Sequence, residues 1–239
     1  MRTLTAYQEV KQKITEDLVR GRYLMGQALP AEKDLAKELD VSIGTLRKAV
    51  DELVAEGIVV RRQGRGTYVA EHDAKRLLYY FFHVVRWDAD KKNYPRVETA
   101  SFSTSQASKE ESLKLGIKEG ALVWRIVTRL YLEDECVMID HITLDKKRFK
   151  NLTRGEFDKR EGSIYQLYQK RYGQSVVKTN ERLRAGLAGK QMAAWLKLQP
   201  DSPVLLIRRV ALDIQEKPIE WRISTLNTAH HEYFNELVT

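Results

Sequence analysis

Residues 29–69 read LPAEKDLAKELDVSIGTLRKAVDELVAEGIVVRRQGRGTYV. Two short apolar-periodic segments meet at a polar break, and a basic, glycine-bearing stretch follows at once. The first segment predicts a helix from about Ala31 to Leu39, with Leu35, Ala36 and Leu39 on one face. Asp40 and Val41 make the turn, because Asp tolerates the left-handed backbone better than most residues. Ser42 is placed to cap the second helix, its hydroxyl accepting from the amide near Thr45. Leu46, Val50 and Leu53 then recur at helical spacing, and Gly57 supplies a C-terminal stop.

The other face of that second helix carries Gly44, Arg47, Lys48 and Asp51, with Thr45 beside them. Small residues at a helix start allow close approach of a duplex, and Arg47 and Lys48 are long enough to reach phosphates or guanine edges. A solvated charged face is the alternative for one helix taken alone. The next segment weighs against it. Ile58–Val60 and Thr67–Val69 read as two strands, and between them lie Arg61, Arg62, Gln63, Gly64, Arg65 and Gly66. An arginine between two glycines makes a hairpin tip that fits a minor groove. Helix, turn, helix and basic hairpin together predict a winged helix-turn-helix that binds double-stranded DNA. Upstream, Leu4–Arg20 reads as a further helix with Tyr7, Val10, Ile14 and Leu18 on one face, ended by Gly21.

The 239 residues fit two domains, and the sequence divides at 1–70, a polar linker at 71–76, and 77–239. The formal net charge of +8 suits a polyanionic partner. Acidic and basic residues nearly balance in the N-terminal third, so local arrangement and not bulk charge marks the DNA site. The single cysteine, Cys136, excludes an internal disulfide framework and fits a reducing cytoplasm. No apolar run is long enough to span a bilayer, and the start shows no signal region, so no membrane partner is expected. The histidines show no metal-ligand spacing and no cofactor motif occurs, so neither metal nor cofactor is expected.

Beyond the linker the pattern changes to strands. Leu77–Trp87, Arg96–Thr104, Leu122–Leu132, Cys136–Leu144, Val176–Ala188, Val204–Ile214 and Ile219–Leu226 read as strands. Lys109–Leu115, Ser163–Tyr172 and Lys190–Leu196 read as helices. Largely adjacent strands with interspersed helices predict an α+β domain built on an antiparallel sheet.

The N-terminal third resembles the GntR family of bacterial transcription regulators. The likeness rests on Leu29, Pro30, Glu32, Leu35, Val41, Ser42, Thr45, Arg47, Leu53, Gly57, Gly64, Gly66 and Val69 among others. It implies a repressor that binds a palindromic operator as a homodimer and is retuned by a small molecule. The candidate DNA-binding set is Lys33, Ser42, Gly44, Thr45, Arg47, Lys48, Gly64, Arg65, Gly66 and Thr67. Three positions depart from the family pattern. Ala31 replaces a capping Ser, a loss that typically costs about 1 kcal/mol. Ile43 replaces an Arg, and its phase with Leu46 and Val50 predicts packing near the helix start. Lys33 stands where Arg is common and offers a point charge in place of a bidentate fork.

The C-terminal part resembles the UTRA domain of the HutC subfamily, through the strand pair around Arg129 and Asp134, SIYQLYQKRYG from Ser163, PVLLIRRVALD from Pro203, and Tyr233–Phe234. This resemblance implies a fold like that of chorismate lyase, used as a sensor and dimer contact. It also implies an effector site, here Arg129, Tyr131, Asp140, Ser163, Tyr165, Glu220 and Tyr233, that would take an anionic metabolite. Two roles fit Arg129: anion contact, or an internal salt bridge to Asp140 or Glu220. Ser163 equally fits a plain helix cap. The expected function is a cytoplasmic, metabolite-responsive DNA-binding repressor. An enzyme on the lyase-like fold, or a DNA-binding protein without a ligand, are the alternatives. No nucleophile–base pair in the sequence supports the enzyme.

Overall fold

The computed structural model describes residues 4–19, 21–24, 26–70, 81–89, 93–160 and 162–235. The chain forms two compact units, Met1–His72 and Asp73–Thr239. The expected linker at 71–76, and residues 77–80 of the strand expected from Leu77, lie outside the described residues.

In the first unit, α1 (Ala6–Val19) buries Val10 and Ile14 and is followed by Gly21 at φ +76°. Helix α2 (Glu32–Glu38) buries Leu35 and Ala36. Its N-cap, Ala31, makes no side-chain capping bond. Asp40 turns the chain at φ 52°. Helix α3 (Ile43–Ala55) then starts at Ser42, whose hydroxyl accepts from the Thr45 amide at 3.1 Å. Leu46, Ala49, Val50 and Leu53 are all buried on its inner face, and Gly57 sits at φ +69° beyond its end. Strands β1 (Val59–Arg62) and β2 (Gly66–Val69) pair antiparallel from Val59↔Val69 to Arg62↔Gly66. Gly64 and Gly66 hold positive φ at the tip, a backbone conformation that glycine adopts without a Cβ penalty.

The second unit is built on six antiparallel strands: β4 (Arg96–Gln106), β5 (Leu122–Leu132), β6 (Glu135–Asp145), β7 (Lys178–Leu187), β8 (Pro203–Leu212) and β9 (Pro218–Asn227). Their spatial order is β4-β5-β6-β9-β8-β7. The run expected as one long strand to Trp87 is a strand only over β3 (Val84–Arg86), which pairs with β10 (His231–Tyr233).

Helix α4 (Lys109–Leu115) and helix α7 (Lys190–Leu196) cover one face of the sheet. There Leu115 packs with Trp221, and Ala193 and Leu196 pack with Ile139 and Cys136. On the other face lie α5 (Arg154–Asp158) and α6 (Ile164–Tyr172). Phe157, Tyr165 and Tyr168 pack there with Ile126, Ile142 and Leu144. The short α5 has no counterpart in the sequence reading. It is fixed by a capping box, with the Thr153 hydroxyl accepting from the Glu156 amide and the Glu156 carboxylate accepting from the Thr153 amide. Because side chains alternate along each strand, one residue of phase decides which pair of helices a side chain meets.

Candidate DNA surface and effector cavity

The first α3 turn is open. Ser42, Ile43 and Gly44 are exposed, and a Cβ added at Gly44 would meet only the Ser42 hydroxyl, at ordinary contact distance. The α3 amides at this end therefore have space in front of them for a phosphate. Ile43 corrects an expectation, since it is 37% exposed and not packed. Side chains lean toward a helix's N-terminus, so a first-position side chain projects past the end of the element, beyond the Leu46–Val50 seam. In this chain the helix tip thus presents an isoleucine, a group that suits a thymine methyl better than a guanine edge.

The basic residues of this surface fall into two groups. In one, each cation already has a local partner. Arg47 Nε donates to Glu32 Oε2 at 2.6 Å, and Arg61 pairs with Asp51 at 2.6 Å. Lys48 lies over the Tyr7 ring at 4.2 Å, and Arg62 over Tyr68 at 4.3 Å. In the other group, Lys33 and Arg65 are exposed and have no ion-pair or ring partner among the described residues. Thr67 is half-buried and its carbonyl accepts from the Leu29 amide, which anchors the wing. Arg61 and Arg62, absent from the expected set, extend the basic face along β1.

In the second unit a cavity of about 330 Å³ opens on the α5–α6 face of the sheet. Thr128 and Leu130 of β5, Met138 and Asp140 of β6, Arg222 and Ser224 of β9, and Ile207 and Arg209 of β8 line it. The registers Thr128↔Asp140, Asp140↔Ser224 and Ser224↔Ile207 put these residues on one face. Arg160, Ser163 and Tyr165 close it from the helix side, with Phe81, His83 and Tyr233 at another edge.

Of the expected effector residues, Asp140, Ser163, Tyr165 and Tyr233 stand on the cavity wall. Ser163 is also the α6 cap, its hydroxyl accepting from the Gln166 amide at 3.2 Å. Arg129 and Tyr131 do not belong there. Their neighbours Thr128 and Leu130 face the cavity, so Arg129 points to the opposite face, 5.9 Å from the Trp195 ring. Tyr131 follows a β-bulge and packs on that same opposite face, under the guanidinium of Arg96. Arg129 therefore pairs with neither Asp140 nor Glu220.

Glu220 is also off the wall. It is 0% exposed, and its two oxygens accept from Arg222 at 2.8 and 2.9 Å, Tyr168 at 2.7 Å and Tyr165 at 3.3 Å. This leaves it no capacity for a ligand. Burial, and then the Glu220 charge, push the Tyr165 phenol up to about 12.

The cavity's arginines are Arg160, Arg209 and Arg222, none of them expected from the sequence. Arg222 Nη1 reaches Asp140 Oδ2 at 2.9 Å, in addition to its bidentate grip on Glu220. Arg209 is held by the Glu181 carboxylate and donates to the Phe81 carbonyl at 2.6 Å. Tyr233 donates to the same Glu181. Burial raises the Glu181 carboxyl, but the Arg209 guanidinium and the Tyr233 hydroxyl outweigh it and hold the group below its ordinary range. A signal did exist for Arg209 and Arg222. Both interrupt apolar strand stretches, and a charge in such a place is buried only with a partner.

A winged helix followed by an antiparallel-sheet domain is the make-up of a DNA-binding regulator. Residues 6–69 match the bacterial regulatory proteins of the gntR family, and residues 91–232 match the UTRA domain. The chain belongs to the GntR family, in its UTRA-bearing HutC branch. It is 30% identical over 221 residues to the probable fructoselysine utilization operon transcriptional repressor of Escherichia coli strain K12, covering 89% of this chain and 86% of that protein. It is 27% identical over 205 residues to the histidine utilization repressor of Pseudomonas aeruginosa, covering 85% of this chain and 80% of that one. A crystal structure of a GntR-family ligand-binding domain from Bordetella bronchiseptica shares the fold of the second unit. Its TM-score is 0.62 and its identity 24%, over 67% of this chain and 99% of that one. The family and these relatives are regulators of transcription, not enzymes. Among the described residues no helix is long and apolar enough to cross a membrane.

Proposed function

We propose that this protein is a cytoplasmic, metabolite-responsive repressor that binds a palindromic operator as a homodimer and is retuned when a small effector fills the cavity of its second unit. The observation that carries the effector reading is that cavity. It has a volume suited to a small metabolite, and its wall sets charged groups among apolar ones. The relatives repress utilisation operons, which supports repression as the sign and a nutrient-derived metabolite as the effector. Regulation of this kind requires that the effector bind the DNA-bound and released states with different affinity.

Arg47, with Lys33, Lys48 and Arg65, supplies the duplex contacts in this reading, and Ser42, Gly44, Thr45, Gly64, Gly66 and Thr67 shape the surface that presents them. Glu32 holds Arg47 in the free protein and must release it to DNA. Fluorescence anisotropy on DNA flanking the gene, with random DNA as control, tests the assignment. Arg47→Ala should weaken operator binding by roughly 5–150-fold if the side chain reads a base. Equal loss on both DNAs makes Arg47 a phosphate contact, and no loss removes it from the interface. Footprinting and sedimentation of the complex test the palindrome and the dimer.

A further inference from the structure

We propose that the cavity takes a zwitterion: a small metabolite carrying both a protonated amine and a carboxylate or phosphate. This rests on the reading of the cavity as the effector site and names the ligand class.

The inference follows from which charges remain unmatched once the wall's own pairs are formed. Arg209 gives its Nε to Glu181, its Nη2 to the Phe81 carbonyl and its Nη1 toward the Tyr165 hydroxyl, so each of its nitrogens has a partner and its charge is matched by Glu181. Each nitrogen of Arg222 is likewise engaged, by both oxygens of Glu220 and by one of Asp140. That group of three holds one cation and two carboxylates. Its excess negative charge falls on Asp140, because Glu220 also accepts from Tyr165 and Tyr168. Asp140 is 1% exposed, and its Oδ1 has no protein donor. A carboxylate on the cavity wall with a buried oxygen in that state calls for an ammonium or another strong donor.

The opposite imbalance lies at Arg160. Among the described residues its one hydrogen bond runs from Nη1 to the Phe157 carbonyl, its guanidinium lies 4.5 Å from the Phe157 ring centre, and its Nε is buried without a hydrogen-bond partner. Among the described residues no carboxylate pairs with it, and Asp158 on the same segment is held by Arg154 at 3.3 Å. Among the described residues the cavity thus offers one cation without a carboxylate partner and one carboxylate oxygen without a donor. Leu130, Met138 and Ile207 line it with apolar surface. A simple anion would answer Arg160 and meet repulsion at Asp140; a neutral apolar molecule would leave both groups unanswered. A zwitterion answers both.

The test is calorimetric titration of the full-length protein with a ladder of ω-amino acids and common α-amino acids. The matched monocarboxylates, the matched primary amines and glycerol phosphate run alongside. At least one zwitterion should bind about tenfold or more tightly than both its acid and its amine, the effect of one charge-assisted hydrogen bond at each end. Asp140→Asn should erase the advantage over the acid, and Arg160→Gln the advantage over the amine. Arg160→Lys should keep most of it. If Asp140→Asn does not fold, the Arg160 pair of variants decides. An acid or phosphate ester that binds as well as any zwitterion overturns the proposal, as does a ladder with no binding. Those failures are separated from failure of the effector reading by Met138→Trp, which fills the cavity. If a metabolite extract releases operator DNA from the wild type but not from this variant, the site stands and only the ligand class falls. If Met138→Trp responds like the wild type, the effector reading falls too.

Discussion

Arg222→Met should destabilise the second unit by about 3–5 kcal/mol, the usual effect of removing one partner from a buried ion pair. The upper end of that range applies here, because the substitution strands two carboxylates, Glu220 and Asp140, which are 0% and 1% exposed. For a unit of this size each kcal/mol lowers the melting temperature by about 2–4 °C, so the predicted drop is roughly 6–20 °C. All four tryptophans, Trp87, Trp124, Trp195 and Trp221, lie in the second unit. Tryptophan fluorescence during urea unfolding therefore reports on that unit alone. A second variant separates charge from packing. Arg222→Met combined with Glu220→Gln and Asp140→Asn removes every charge of the cluster and keeps one carbonyl oxygen at position 220 to accept from Tyr168. It should recover about 2 kcal/mol relative to the single substitution, since residues in one network couple by about 0.5–3 kcal/mol. A single variant that loses less than about 1 kcal/mol, or a triple variant no better than the single, would refute the view that Arg222 is held by uncompensated buried charge.

Three further outcomes are expected. Arg65→Ala at the wing tip should lower DNA affinity and flatten its salt dependence, by about 0.9 in logarithmic slope for each phosphate that the side chain no longer neutralises, read from binding titrations at several salt concentrations. Ala31→Ser should stabilise the first unit by about 1 kcal/mol, because Ala31 already has the extended backbone of a cap (φ −55°, ψ 143°) and lacks only the hydroxyl. Circular dichroism melting checks it, with a rise of about 4–8 °C expected for a domain of that size. Glu181→Gln tests a pH effect. The folded carboxyl sits below its ordinary 4.5, so its contribution is fully present above that pH and is lost as pH falls through the folded value. The urea-midpoint gap between wild type and variant should accordingly be widest at neutral pH and close progressively below 4.5.

The DNA-binding unit was legible in the sequence because its signals are local. Ser42 caps α3 and Asp40 turns the chain in the left-handed region within a few residues of where the helices meet, and Gly57 ends α3 by the same local chemistry. Ile43 was misjudged because periodicity gives a direction around the helix axis but not whether a neighbour exists there. The six strands of the main antiparallel sheet were found, whereas β10 was not and the strand expected to run to Trp87 is strand only over Val84–Arg86 among the described residues. Helix α5 was missed because five residues carry too little periodicity to register, and only the Thr153–Glu156 capping box announces it.

The effector wall was harder for a different reason. A strand pattern yields two faces but does not say which one a helix will cover and which will hold a cavity. Arg129 and Thr128 are adjacent in the chain, and the choice between them is made by α5 and α6 on one side and α7 on the other, all distant in sequence. A single step of phase moved the expected anion contact from one side of the sheet to the other. Counting arginines would not have rescued the assignment. Three of them line the cavity, yet Arg209 is matched by Glu181 of the neighbouring strand, and Arg222 by Glu220 on its own strand and Asp140 on the next. In the proposed reading, what a ligand meets is the remainder after that pairing, Asp140 and the guanidinium of Arg160. The recognition chemistry of the cavity is therefore a property of strand register. A substitution such as Glu181→Gln, which touches no ligand, should change it by releasing the Arg209 fork toward the cavity.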